Sequence, residues 1–357
     1  MNLNIGKTKF VYPSLNGIRA ISIFFVISHH LEQKYHIFSD IFPDIITDFI
    51  TDGQLGVNFF FIISSFLITT LLLTEESNTN AVSLKKFYIR RTLRIFPAYY
   101  FYLLFLFVLH MANIINISKL SWLTAVTYTK YINWQSDWYT AHAWSLSIEE
   151  QFYLFFPLLF MFGNNIRKTI SFILILFVPV LNLYIYFYPI SWLDNSLTIF
   201  KRIDALAIGC IIAFYKDELL VLLMGKYFKI LFYLSWILIF LIKPLSEISK
   251  EINFYLDFIL ILFGTRHGTI GNICIGIILL YSIFINQGFW FQLLNTKVLN
   301  YIGLLSYSIY LWQQLFISGP RYWATSFPQN LVLVFVFALF SYYCIEKPFL
   351  KLKDKFQ

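Results

Sequence analysis

Apolar runs of about 17 to 25 residues recur along the whole chain, parted by short polar stretches in which lysine and arginine gather. Wound as helix, a run of that length crosses about 30 Å of hydrocarbon. The pattern places ten spans at roughly 14–31, 55–74, 93–113, 147–163, 168–188, 203–215, 227–243, 269–286, 300–317 and 329–346. Stretches such as Leu231 to Ile242 are continuously apolar and do not alternate, which excludes a transmembrane barrel. The expected fold is therefore an all-α integral membrane protein, a bundle of about ten transmembrane helices. The run from Ile252 to Gly264 is about 13 residues long and carries Asp257, so it suits a re-entrant or interfacial segment.

Orientation follows from the basic loops. Lys85, Lys86, Arg90, Arg91 and Arg94 follow the second span, Arg167 and Lys168 the fourth, and Lys351, Lys353 and Lys355 the last. The positive-inside bias puts all three groups, and both termini, in the cytoplasm. An eleventh crossing at Ile252 to Gly264 would move the lysine-rich tail outside. The first run lacks a small-residue cleavage site and reads as a retained helix. The expectation is one membrane domain over 1–357, without an appended soluble domain, in the inner (plasma) membrane.

Composition agrees. The chain is 59% hydrophobic and 13% charged, with a mean hydropathy of +0.68, where a soluble domain carries about 25% charged residues. Lys and Arg outnumber Asp and Glu by 27 to 19, but at span ends, so the excess fits anionic headgroups of the lipid bilayer and not nucleic acid. Cys210, Cys274 and Cys344 show no CxxC or His-rich spacing, so neither a disulfide framework nor a metal site is expected.

Chemistry must then come from polar residues inside the spans, where an ionisable group is costly and points to function. The first span carries Arg19 and, eleven residues on, His30, about 16 Å further along the axis. His29 points about 100° away from it. The fourth span opens His142-Ala-Trp144-Ser145-Leu-Ser-Ile-Glu149-Glu150, two acids at a depth similar to that of His30. A contact between His30 and one of these two acids would orient the imidazole as a general base. Arg90 and Arg94, i,i+4 neighbours on a helix, form a stack that either grips a phosphate or is an ordinary positive-inside stop. Arg202 and Asp204 are two apart and take separate partners. Glu346-Lys347-Pro348 reads as a helix stop. Gly56 to Phe66 reads as close helix packing, and no GxSxG or HExxH motif occurs.

Five blocks in order resemble the acyltransferase-3 family of membrane acyltransferases, which includes bacterial polysaccharide O-acetyltransferases. They are Asn16-Gly17-Ile18-Arg19 with His30; Arg90-Arg91-x-x-Arg94-Ile-x-Pro97; Trp144-Ser145-Leu146-x-x-Glu149-x-Gln151-Phe152-Tyr153; Arg202-x-Asp204-Ala205-Leu206; and Ser306-Tyr307-Ser308-x-Tyr310-Leu311-Trp312. The family commonly has Asp at Asn16 and Asn58, Gly at Ser65 and His at Gln313, and this chain departs from it there. The resemblance implies transfer of an acyl group, usually acetyl, from acetyl-CoA to a hydroxyl of a glycan or glycolipid. Arg90, Arg91 and Arg94 would then hold the coenzyme phosphates and Arg19 the pantetheine end. His30, oriented by Glu149, would act as base or as transient acyl carrier. Trp144, Ser145, Glu150, Arg202 and Asp204 are further candidates. A separate extracytoplasmic acyl-transfer partner is a second route to the acceptor. The competing readings are a transporter or exporter, whose proton relays use the same residue types, and an inactive relative.

Overall fold

The computed structural model describes residues 12–133, 137–188, 200–223, 225–252, 267–317 and 323–356. Regular structure among these residues is entirely helical: α1 Leu15–Tyr35, α2 Asp44–Ile50, α3 Gly53–Thr79, α4 Leu84–Met111, α5 Lys119–Val126, α6 Ala143–Phe155, α7 Asn164–Phe187, α8 Ile203–Phe214, α9 Lys216–Leu223, α10 Lys226–Ile252, α11 Thr269–Phe284, α12 Phe289–Leu294, α13 Lys297–Ile317, α14 Gln329–Phe340 and α15 Lys347–Lys353. A 3₁₀ segment, Phe156–Met161, prolongs α6, and a π-helical segment, Ser341–Glu346, joins α14 to α15. The short run following Ile252 lies outside the described residues.

Local chemistry sets the ends. The Asp52 carboxylate accepts from the Leu55 N–H at 2.9 Å to cap α3, and Ser83 caps α4 through the Lys86 N–H. His36, in the left-handed region at φ 54°, closes α1 by donating its N–H to the Glu32 carbonyl.

Each of the ten stretches read from the sequence falls in helix. By length and composition, five helical stretches among the described residues can cross a membrane: Asp44–Thr79, Leu84–Met111, Asn164–Phe187, Tyr227–Leu245 and Gln329–Phe356. The rest fail for a physical reason. α6, α8 and α11 have only 13, 12 and 16 residues, while α1 and α13 are diluted by side chains such as Arg19, His30, Gln313 and Gln314.

That division separates the inside of the bundle from its lipid face. The apolar window of α7 is only 17% buried and exposes Phe172, Leu176 and Val180, whereas the window through α2 and α3 is 78% buried. Polar α1 lies between α13 and α3, and α3 packs in turn on α8; α7 and α11 flank α8, and α14 covers α13. Two glycines allow the central crossings. A Cβ at Gly303 would fall on the backbone of Asn16, so α13 meets α1 through bare backbone. Ser65, buried where the family has glycine, bonds its hydroxyl to the Phe61 carbonyl of its own helix at 2.9 Å and faces Gly209 of α8. The close approach of α3 and α8 is kept by the glycine opposite.

Candidate functional site

Polar groups gather inside the bundle at two depths. The inner group is built around Arg19 of α1, Arg91 and Arg94 of α4, and Glu149 and Glu150 of α6. Arg94 is electrostatically coupled to Arg91, Arg19 and Glu149, and Arg19 to Glu149. The Arg91 guanidinium lies over the Tyr153 ring at 3.5 Å from its centroid, with its Nε 3.7 Å from a Glu150 oxygen. Ser64 of α3 donates to Glu149 at 2.8 Å. All five side chains stay half-buried while neighbours such as Ile18 and Ala20 are sealed, so they border space between the helices.

Glu346 also belongs here. It is 7% exposed, accepts from Ser308 of α13 at 3.0 Å, and is coupled to Arg94 and Arg19. The reading of Glu346 to Pro348 as a plain helix stop is corrected: the π-helical turn that ends in Glu346 turns its carboxyl into the arginine group. The rule that singled out Glu149, an acid in an apolar span, applies equally to Glu346.

The stacked Arg90–Arg94 pair is corrected as well. Arg90 leaves the cluster, donating to Glu75 at 2.6 Å and to the Phe356 carbonyl at 3.0 Å. Arg91, one residue on, takes its place beside Arg94.

The outer group centres on His30, whose expected contact with Glu149 is not formed. Its Nδ1 donates instead to Gln313 Oε1 at 2.6 Å, and Trp138 meets the ring edge-on at 5.2 Å between centroids. Glu149 is a partner of Ser64 and the arginines. His29 donates to the Thr51 carbonyl at 2.9 Å. Sequence reasoning also passed over His142, which is 4% exposed between the Tyr102 and Tyr310 rings and has neither ring nitrogen bonded. It is coupled to His30.

The remaining candidates are placed by packing. Ser145 shares a 2.5 Å bond with the Tyr310 hydroxyl, which donates to the His142 carbonyl, and Trp144 packs edge-on against Phe61. Asp204 accepts from Thr269 at 2.9 Å and from the Ala205 N–H at 2.8 Å. Arg202 donates to Gln54 at 2.5 Å and to the His267 carbonyl at 3.4 Å, so the two have the separate hydrogen-bond partners their spacing implied. The two partners of Arg202 line a cleft of about 500 Å³ whose walls also include His29, Glu32, Gln33 and Asp52, the last holding His267 at 2.6 Å.

The segment carrying Trp138 is pinned by a buried ion pair. Lys130 Nζ lies 2.7 Å from Asp137 Oδ2, and Thr140 donates to the same carboxylate from its N–H at 2.8 Å and its hydroxyl at 2.6 Å. Burial works to raise the Asp137 carboxyl, but Lys130 and Thr140 outweigh it and hold the group below the ordinary carboxylate range.

Two kinds of likeness bear on this arrangement. A Staphylococcus aureus (strain COL) protein that carries the name of an O-acetyltransferase is 30% identical over 98% of this chain and 60% of its own length. The O-acetyltransferase OatA of Staphylococcus aureus (strain NCTC 8325 / PS 47) is 29% identical over 84% of this chain and 49% of its own. The chain thus spans about half to three-fifths of the length of these relatives. No solved structure matches. The profile of the acyltransferase domain family matches residues 12–345, which takes in every buried ionisable group described above except Glu346, and the chain belongs to that acyltransferase-3 family.

Proposed function

We propose that this acyltransferase moves an acyl group, acetyl from acetyl-CoA, onto a hydroxyl of a cell-surface glycan or glycolipid. The chain would cross the inner (plasma) membrane ten times as a single membrane domain with both termini cytoplasmic. One observation supports the reading: α1 carries Arg19 in the arginine group and, eleven residues on, His30 against Gln313 and Trp138, so a single helix links an anion-binding depth to a base.

In this mechanism Arg91 and Arg94 bind the coenzyme's phosphates, their forks matching phosphate oxygens, with Arg90 at the inner mouth. Arg19 guides the pantetheine end. The acceptor enters through the cleft by His29, where carboxylates and carboxamides suit a polyhydroxy ligand. His30 Nε2 removes the hydroxyl proton, the oxygen attacks the thioester carbonyl, the C–S bond breaks, and the departing sulfur takes that proton back from His30 to leave as the free thiol. Arg19 and Glu149 balance charge below the reacting carbonyl. A separate extracytoplasmic partner receiving the acyl group is the variant in which the acceptor is protein-borne.

The test is transfer from radiolabelled acetyl-CoA in purified membranes, wild type against His30→Ala and Arg94→Ala. Label on a glycan or glycolipid with wild type alone supports the scheme. Wild-type protein that binds coenzyme but moves no label has another acyl group or acceptor, and one that binds no coenzyme is not a CoA-dependent transferase.

A further inference from the structure

Gln313 stands against His30 where the family commonly carries histidine, and it does not stand alone. Its Nε2 donates to Gln314 Oε1 at 3.1 Å, and Gln314 Nε2 donates to the Trp138 carbonyl at 2.8 Å. Trp138 returns the contact by donating from its indole N–H to the Gln314 carbonyl at 2.7 Å, while its ring meets His30. Both glutamines are sealed, at 0% and 1% exposure.

This chain of bonds has only one consistent direction. A backbone carbonyl can only accept, so the Gln314 amide must turn its NH₂ to Trp138 and its oxygen to Gln313. Gln313 then turns its NH₂ to that oxygen and its own oxygen to His30. Facing an acceptor at 2.6 Å, His30 Nδ1 must carry the proton, and in the neutral ring the lone pair is left on Nε2.

We propose that Gln313 and Gln314 form a tautomer-setting relay, anchored on the Trp138 carbonyl, that holds His30 with its basic nitrogen at Nε2 and fixes the ring plane. The glutamines are positioning residues, doing with two neutral amides what a carboxylate does in other His-based sites: they accept from Nδ1 without adding charge. An uncharged acceptor suits this place, because the titratable groups that act on His30 are His29 of its own helix and His142 at the start of α6, with the Lys130–Asp137 ion pair acting on His142 behind them. The proposal rests on the reading of His30 as the base.

The test compares full-length wild type, Gln313→Leu, Gln313→Glu and Gln314→Leu in membranes, each checked for folding by size exclusion in detergent. Gln313→Leu removes the acceptor and is expected to lower kcat about 10- to 100-fold with little change in KM for the donor. Gln314→Leu should fall between that variant and wild type. Gln313→Glu keeps the acceptor but adds a negative charge, which favours the protonated ring, so the acidic limb of the kcat/KM profile should move to higher pH by about one to three pH units. A purely structural glutamine would not move that limb. A limb that stays in place in folded Gln313→Glu overturns the relay, whatever happens to kcat. Failure of the underlying reading looks different: His30→Ala would then transfer label at the wild-type rate.

Discussion

The segment that presents Trp138 hangs on the Lys130–Asp137 pair, and a double-mutant cycle tests how much. Lys130 is fully buried and the Asp137 side chain is 7% exposed, so removing either partner takes a full countercharge from a group that water scarcely reaches. One-sided loss of such a pair costs about 3–5 kcal/mol. Asp137→Asn takes from the Lys130 ammonium the carboxylate 2.7 Å away; Lys130→Met leaves the carboxylate its two Thr140 bonds. The double variant strands nothing and should cost about as much as one single variant, giving a coupling energy of about 3 kcal/mol or more. Equilibrium unfolding in mixed micelles measures the four stabilities, and transfer assays follow in parallel. Because Trp138 both meets His30 and anchors Gln314, each single variant should also lose transfer activity, and the double should regain part of it. Costs that add to within about 0.5 kcal/mol would refute the argument and leave the pair as two independent side chains.

Three further outcomes are expected. Since the folded-state Asp137 carboxyl lies below its unfolded value of about 4, its stabilisation is complete above that pH and is lost as pH falls through the folded value; acid titration of unfolding should show this loss in wild type and not in Asp137→Asn. Gly303→Ala puts a methyl on the Asn16 backbone, which cannot yield as a side chain would, and should destabilise by about 1–3 kcal/mol with loss of transfer, read as the yield of monodisperse protein and its activity. Glu346→Gln keeps the shape and the bond from Ser308 but removes a carboxylate from the arginine group, and should change the affinity for CoA in membrane binding assays; unchanged affinity would place Glu346 outside the donor site.

The helices were legible because lipid imposes one rule, an apolar run wound as helix; all ten stretches are helical, though only five of the helical stretches among the described residues are long and apolar enough to cross a membrane. His30 and the arginines were legible because polarity inside such a run is conspicuous. Their partners were not. His30 and Gln313 are 283 residues apart, and helical periodicity tells which face a residue occupies but not which helix lies opposite. A pairing guessed from similar depth, His30 with Glu149, therefore failed, while Ser64, read only as a packing residue, turned out to hold the carboxylate. Glu346 was hidden differently, since Lys-Pro after an acid looks like a helix stop, and only the π-helical turn aims it inward. Arg90 and Arg91 exchanged parts because an i,i+4 spacing shows which residues can meet on one helix, whereas Glu75 and the Phe356 carbonyl decide where Arg90 goes.

Seen together, the inner group contains three guanidiniums, Arg19, Arg91 and Arg94, and three carboxyl groups, Glu149, Glu150 and Glu346. Three bare cations at that depth would repel each other and carry a large desolvation penalty; interleaved carboxylates offset both. The same interleaving sets a condition on any anion that enters. A coenzyme phosphate must compete with carboxylates already near the forks, so binding strength depends on the difference between the two contacts and not on the number of arginines. Arg91 is the best matched of the three, its charge met by the Tyr153 ring face and by a Glu150 oxygen at 3.7 Å, whereas Arg94 makes no hydrogen bond or ion pair within 4 Å among the described residues. A cation with no carboxylate in contact can be transferred to a phosphate at less cost, which makes Arg94, more than the Glu75-bound Arg90, the arginine on which donor affinity should turn in the proposed scheme.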